Sequence, residues 1–322
     1  MTHHTLDPGP DTLHGTFDPS RPPALTIDPG DTVQVSTLDV AWGLTPHPPA
    51  SADDSHPPRT RYEPREDGPA MCGPIAVRGA EPGMAMVAHV LEVIPCAWGW
   101  TWAGDNGLNS DMIAQMGFER GKGALLCWEL DPDRMIATSE LGHEVPLDPF
   151  MGTLGLCPGE PGVHPGWFPR RTGGNMDYRG ITAGSSLVLP IEAPGGLLSL
   201  GDGHARQGDG EVAGSAIECR MARVTLHVEL RDDLGPLPGP LNWTKEGWTT
   251  LAFHRDLNQA AAEATRAMVD RVARALDVEP LKALALASPL VDLRVTQIAN
   301  EVCGAHAFLP HGALDAMPEA RP

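Results

Sequence analysis

From Pro23 to about residue 250, apolar residues come in short runs broken by turn residues. In PALTIDPGDTVQVSTLDV (23–40), ALTI and TVQVSTL read as strands on either side of Pro29-Gly30. The same strand–Pro-Gly–strand pattern returns around Pro82-Gly83 in GPIAVRGAEPGMAMVAHVLEV (73–93). It returns again around Pro194-Gly195 in SSLVLPIEAPGGLLSLGDGH (185–204). These read as three hairpins. Counting nine residues on from each turn glycine reaches Asp39, Glu92 and His204. Either the hairpins aim ligand-type side chains at one place, or polar residues simply end ordinary strands. The second reading is favoured for Glu92 and, less strongly, for Asp39, which shares a strand face with Val33 and Val35.

The pattern changes near the C-terminus. DLNQAAAEATRAMVDRVARALDV (256–278) spaces Ala260, Ala264, Ala267, Val269, Ala273 and Leu276 at helical intervals. A second helical stretch opens at Pro280, a residue suited to a first helical turn. PLVDLRVTQIANEV (289–302) then alternates like a strand. Residues 1–20 read as a flexible arm with His3, His4 and His14 at the surface. The Pro-rich, charged stretch 45–70 reads as a surface excursion. AWGWTWAGDNG (97–107) gathers three tryptophans, which suits core or a subunit contact better than a ligand platform. The fold class expected is α+β: mostly β, hairpin-rich, with packed or barrel-like sheets. One domain spans 1–322, with its helical segment at 256–288.

Composition narrows the function. With 41% hydrophobic residues in 322, the chain is globular and can bury a sizeable core. Its net charge of −19 disfavours nucleic acid and anionic lipid as partners. The 36 glycines and 33 prolines follow no period and fit strands joined by turns. The six cysteines have no zinc-like spacing and read as reduced and mostly buried. No leader and no membrane-length apolar run is visible, so a cytoplasmic protein that does not enter the membrane is expected. The Trp cluster and the acidic, β-rich character suit a homo-oligomer.

The chemistry concentrates in GDGHARQGDGE (201–211). If its start is extended, Asp202 and His204 share one face and can reach one cation. The glycines allow sharp turns and close backbone approach, and Glu211 returns to the same region. A carboxylate there can take a proton from water and pass it to a leaving group. EF-hand spacing and a phosphate-binding loop are both absent. In TGGNMDYRGI (172–181), Asn175 and Asp177 share strand parity. They could ligate, hold a substrate or orient a histidine, or form a plain turn. Lys122 and Cys127 lack the further pattern of a Glu-Lys-Cys site, and GxSxG does not occur. His89, among apolar residues, reads as a satisfied core or interface histidine; His143 and His164 fall in loops.

GGNMD, then GSSLVLPIEAPGGLLSLGDGHARQGDGEVAGSAIE, resembles the acetamidase/formamidase family. PALTIDPGDTVQVSTLDV, GPIAVRGAEPG and SPLVDLRVTQIAN also match its pattern in order, so the resemblance runs from about Pro23 to Pro310. Departures are Met84 after the Pro-Gly turn, Ala213 at a cysteine position, the stretch after Gly155, and the 45–70 insert. The resemblance implies a β-rich fold with C-terminal helices. It also implies hydrolysis of short aliphatic amides to carboxylate and ammonia, with a bound divalent metal. By motif it places Asp202, His204, Gln207, Asp209 and Glu211 in the site, flanked by Asn175 and Asp177.

Together these give a metal-dependent amidase acting on a small formamide- or acetamide-like substrate. The metal ligands expected are Asp202 and His204, helped by Asp39 or Asp177. Zinc is favoured, and calcium is possible as an ion held by oxygen ligands. Glu211 is the expected proton shuttle and Asn175 the expected oxyanion donor; Gln207 and Asp209 would bind substrate. Two alternatives stay open: a non-catalytic divalent-cation-binding protein, and the same metallohydrolase fold acting on a different C–N bond.

Overall fold

The computed structural model describes residues 1–48, 58–64, 66–234, 236–314 and 322. Two large sheets dominate it. The first has nine strands, ordered His3–Leu6, Thr32–Val35, Met221–Arg231, Ala85–Pro95, Ser186–Pro190, Leu241–Trp243, Gly247–His254, Cys303–Pro310 and Asp292–Gln297. The second has eleven. Its main path runs Glu144–Pro146, Ile136–Ser139, Gly123–Asp131, Trp98–Gly104, Ile217–Cys219, Leu198–Arg206, Phe150–Gly155 and Gly173–Asn175. Met71–Val77 joins it alongside Leu198–Arg206 and carries Leu13–His14 and Leu25–Ile27. One hydrophobic core serves both sheets, with Val35, Leu187 and Leu226 from the first and Ile75, Leu154 and Leu200 from the second.

The three Pro-Gly turns are not hairpins. Each carries the chain from one sheet to the other. Leu25–Ile27 and Met71–Val77 lie in the second sheet, and the strands that follow them, Thr32–Val35 and Ala85–Pro95, lie in the first. Ser186–Pro190 to Leu198–Arg206 makes the reverse crossing. Gly30, Gly83 and Gly195 all take positive φ at these corners, which suits the residue type. Local pattern shows a turn between two strands; it does not show that each strand pairs elsewhere.

The first residues are not a free arm. His3–Leu6 pairs in parallel with Thr32–Val35, and His4 Nε2 lies 2.9 Å from Asp31 Oδ2. His14 is buried, its ring between the Thr16 carbonyl at 2.9 Å and Ser199 Oγ at 3.1 Å. Burial and the nearby Arg21 lower its pKa to about 4. The described flanks of the 45–70 stretch also fold back: Leu44 N–H donates to Thr60, and Tyr62 N–H donates to Trp42. Residues 49–57 and 65 of that stretch lie outside the described residues.

A short helix, α1 (Ser110–Gln115), follows the Trp-rich strand and was not anticipated. Helices α2 (Leu257–Leu276) and α3 (Pro280–Ala287) form where the spacing places them. Asp256 caps α2 by accepting the Asn258 N–H, and Asp277 ends it in the left-handed conformation. Ala260 and Ala264 are fully buried, and their small size lets α2 lie close on the strand Cys303–Pro310, which bears Ala305 and Ala307. Beyond the expected strand at Asp292–Gln297 the chain adds another, Cys303–Pro310, paired with it antiparallel. All six cysteines are free thiols. No helix among the described residues is long and apolar enough to cross a membrane.

Candidate active site

The strand Leu198–Arg206 is the spine of the site. It lies inside the second sheet and is buried from Leu198 through Ala205. Gly201 is required there by packing, since a Cβ would come 2.0 Å from the Ala70 carbonyl oxygen. His204 stands in a cross-strand row, facing Phe150 on one side and Glu218 on the other, and Glu218 faces Trp100. The Phe150 ring meets the His204 ring edge-on at 4.9 Å. His204 is thus held by an aromatic wall and by carboxylates.

Four carboxylates surround this imidazole. Asp177, His204 and Glu211 offer ligand atoms within 4.8 Å of one another, and so do Asp202, His204 and Glu218. All five residues are at most 5% exposed. His204 Nε2 lies 3.1 Å from Asp202 Oδ1 and 3.2 Å from Glu218 Oε2. Thr153 Oγ1 lies 3.3 Å from Asp202 Oδ2. Met176 and Asp177 both donate their N–H to the Gly152 carbonyl, at 3.0 and 3.1 Å, which fixes the Asp177 turn. Asp177, Asp202 and Glu211 all have positive φ, at 49°, 53° and 46°. Such backbone costs about 1–3 kcal/mol per residue and survives only where the surroundings impose it.

The electrostatics reflect too many acids for one cationic partner. Burial, then Asp202, pushes the Asp177 carboxyl well above its ordinary range. Burial, then Asp177, does the same to Glu211. Glu218 is pushed up to about 7, by burial and against the pull of His204. Burial opposes ionisation of Asp202 too, but His204 outweighs it and holds that carboxyl low. Burial would lower His204; Glu218 and Asp202 reverse this and raise it well above its ordinary value.

The residues fit a divalent cation. Asp177 Oδ1, Glu211 Oε2 and His204 Nδ1 are buried with no hydrogen-bond partner, and Glu218 Oε2 has His204 Nε2 at 3.2 Å. Gly152 keeps the space beside three of these residues open: a Cβ there would fall 2.7 Å from His204 Cε1, 2.8 Å from Asp202 Oδ2 and 2.9 Å from Asp177 Oδ1. An imidazole among carboxylates suits zinc better than calcium, which favours oxygen ligands alone.

Of the other residues singled out from sequence, Asn175 lies beside Asp177 on the cavity wall and the rest are bound to other partners. Asp39 is fully buried, but it accepts from Arg59, from Trp100 Nε1 at 2.9 Å and from the Gly43 N–H at 2.8 Å, away from His204. Asp209 pairs with Arg179, at 2.8 Å from Nε. Glu92 pairs with Arg223 at 3.0 Å on a half-exposed face. Gln207 Nε2 donates to the Asp177 carbonyl at 2.8 Å, so it braces the turn from behind. Asn175 accepts from Thr153 and donates to Asp177 Oδ2 at 3.2 Å and to the Trp167 carbonyl at 3.3 Å. Its amide hydrogens are thus spent on Asp177 and on the Trp167 carbonyl. His89 is a satisfied buried residue, 2.8 Å from Ser186 Oγ and stacked on His227.

Glu218 was missed from sequence. It is the acid that ends the AIE tripeptide in a strand, Ile217–Cys219, whose other residues are apolar. The site opens into a cavity of about 1470 Å³ lined by Asn175, Asp177, Asp202, His204, Glu211 and Glu218. Its outer walls include Trp100, Trp102 and Trp167, together with His47, Pro58, Arg59 and Arg61 from the flanks of the 45–70 stretch. Two of the three clustered tryptophans therefore line the cavity; Trp100 is buried, as expected of a core residue, and Trp102 is half-buried. The stretch read as a surface excursion lends its flanks to the same wall.

Comparison with known proteins bears on this centre directly. The profile of the acetamidase/formamidase family matches residues 166–236, the segment that carries Asn175, Asp177, Asp202, His204, Glu211 and Glu218. The segment that builds the centre is thus similar to this family. The crystal structure of an acetamidase from Yersinia enterocolitica superposes with a TM-score of 0.81, at 28% identity, covering 96% of this chain and 92% of that one. A formamidase of Methylophilus methylotrophus is 25% identical over 62% of this chain and 59% of its own length. An acetamidase of Mycolicibacterium smegmatis is 25% identical over 67% and 65%. The chain thus spans under two thirds of the length of these two curated relatives. A gamma lactamase from Delftia acidovorans shares the fold, with a TM-score of 0.62 at 19% identity over 98% of this chain and 95% of that one.

Proposed function

We propose that this protein is an amidase that hydrolyses a small linear amide to carboxylate and ammonia with the help of one or more divalent cations. The observation that carries the reading is the buried His204 ringed by Asp177, Asp202, Glu211 and Glu218, with unpartnered ligand atoms around a space that Gly152 keeps open. The family profile covers this same segment, and its namesake activities are amide hydrolyses. Asp202, His204 and Glu218, with Asp177, would hold the cation, zinc by the chemistry of the donors. When bound, such an ion supplies Lewis acidity, lowering the pKa of water and polarising a carbonyl.

The chain's own groups do the rest. Glu211 lies beside Asp177 and His204 with Oε2 unpartnered, and burial and Asp177 raise its pKa, which suits a group that takes up and releases a proton. It takes that proton at Oε2 from the attacking water and returns it to the departing nitrogen. Asn175 and Gln207 keep Asp177 in place. The five ionisable residues are almost wholly buried, which strengthens the charge interactions among them.

The test is ammonia release from formamide and acetamide by purified protein, before and after chelation and after zinc is restored. Activity lost on chelation and regained with zinc is the expected result. Release that chelation leaves intact would remove the cation from the reading, and no release from any amide would remove the reaction.

A further inference from the structure

VTQIAN, at the end of the strand Asp292–Gln297 and just beyond it, has no role in the site described so far. The structure brings it there. Gly210 N–H donates to the Thr296 carbonyl and Ile298 N–H to the Gly210 carbonyl, both at 3.0 Å, so this segment runs beside the loop bearing Glu211. Asn106 ties the two together, donating through Nδ2 to the carbonyls of Ala299 and Gly214, each at 3.2 Å. Asn300 follows at once and lines the cavity with Glu211 and His204.

Asn300 is 6% exposed, and its Nδ2 is buried without a partner. Its orientation is determined: Oδ1 accepts the Val302 N–H at 2.8 Å, and turning the amide over would set two donors against each other. The other asparagines on the cavity wall, Asn106 and Asn175, spend Nδ2 on protein oxygens. Among the described residues Asn300 is therefore the one cavity asparagine whose amide donor is left over, and an unpartnered buried donor on the wall of this cavity calls for an acceptor from the ligand.

We propose that Asn300 Nδ2 donates to the carbonyl oxygen of the amide substrate and to the anionic oxygen that develops from it. This rests on the amidase reading above. It also moves the donor role from Asn175 to a residue more than a hundred positions away. The fixed Oδ1 aims the donor before substrate arrives, so no reorganisation is needed as charge builds.

Asn300→Asp separates this role from a structural one, because the carboxylate still accepts the Val302 N–H but offers no hydrogen. Asn300→Ser keeps a neutral acceptor for that N–H, and its one hydroxyl hydrogen sits on a side chain too short to reach the place of Nδ2. In zinc-loaded protein both should lower kcat/KM for acetamide by about 100-fold with Tm and zinc content unchanged. In chelated protein, acetamide should quench the tryptophan fluorescence of wild type and fail to do so in either variant. If wild type releases ammonia and Asn300→Asp and Asn300→Ser match it within twofold, Asn300 has no such role. If wild type neither releases ammonia nor binds acetamide, the amidase reading fails first and this one with it.

Discussion

Two sets of acids, both partly or wholly buried, show how the same residue types come to differ. Asp39, Asp209 and Glu92 each have an arginine: Arg59, Arg179 and Arg223. Among the described residues, Asp177, Asp202, Glu211 and Glu218 pair with no arginine and share one imidazole. An acid with its own guanidinium is electrically complete and serves the fold. Four acids around one histidine are incomplete until something cationic joins them, because unpaired buried charge is costly. All seven could be ligands by residue type. The arginines sort them, and those arginines sit 20 to 131 positions away in the chain.

The largest effect expected from this contrast is in the inner set. Glu211→Gln should cut turnover by about 10²–10⁴-fold while zinc content, read by elemental analysis, stays at the wild-type level. Wild-type turnover in this variant would remove Glu211 as proton carrier. In the outer set, Asp39→Asn should leave zinc content alone and lower unfolding stability by about 3–5 kcal/mol, since it strands the buried Arg59. Loss of zinc from this variant, with stability kept, would return Asp39 to the ligand set.

The histidines repeat the contrast. His204 lies among acids and its pKa is raised; His14 lies against a hydroxyl and a carbonyl and is held at about 4. The unfolded chain therefore binds a proton at His14 before the folded one does. This contribution is complete above pH 6.5 and is lost as pH falls from there towards 4, a change of roughly 3 kcal/mol. Denaturant midpoints measured across that window should fall with pH in wild type and fall less in His14→Asn. Equal slopes would mean that His14 titrates normally. The smallest effect belongs to Asp209→Asn. Its pair with Arg179 is partly exposed, so a cost below about 1 kcal/mol and unchanged zinc content are expected by thermal melting and elemental analysis. A loss of zinc there would blur the line between the two sets.

What could be read from sequence follows the same division. Asp202, His204 and Glu211 were legible because one Gly-rich segment carries them, and Asn175 and Asp177 because a second such segment does. Glu218 joins His204 through cross-strand register, which nothing in a lone acid after Ala-Ile reveals. Asp39 was brought forward by counting from a turn glycine. The count assumes hairpins, whereas each of those turns changes sheets, so equal spacing does not mean a common destination. Strand parity was an imperfect guide for a related reason: Asp202 leaves the extended conformation within its own strand. Helices α2 and α3 were easier, since their periodicity is local and their small apolar face needs only a flat sheet to rest on.

The left-handed backbone at Asp177, Asp202 and Glu211 has a consequence for anyone who would engineer this protein. Glycine relieves the local strain at such positions, so selection for heat resistance alone would reward its appearance at all three. Each reward would delete a carboxylate from the centre. Durability and chemistry compete here residue by residue, and thermostable variants should be sought outside these three positions.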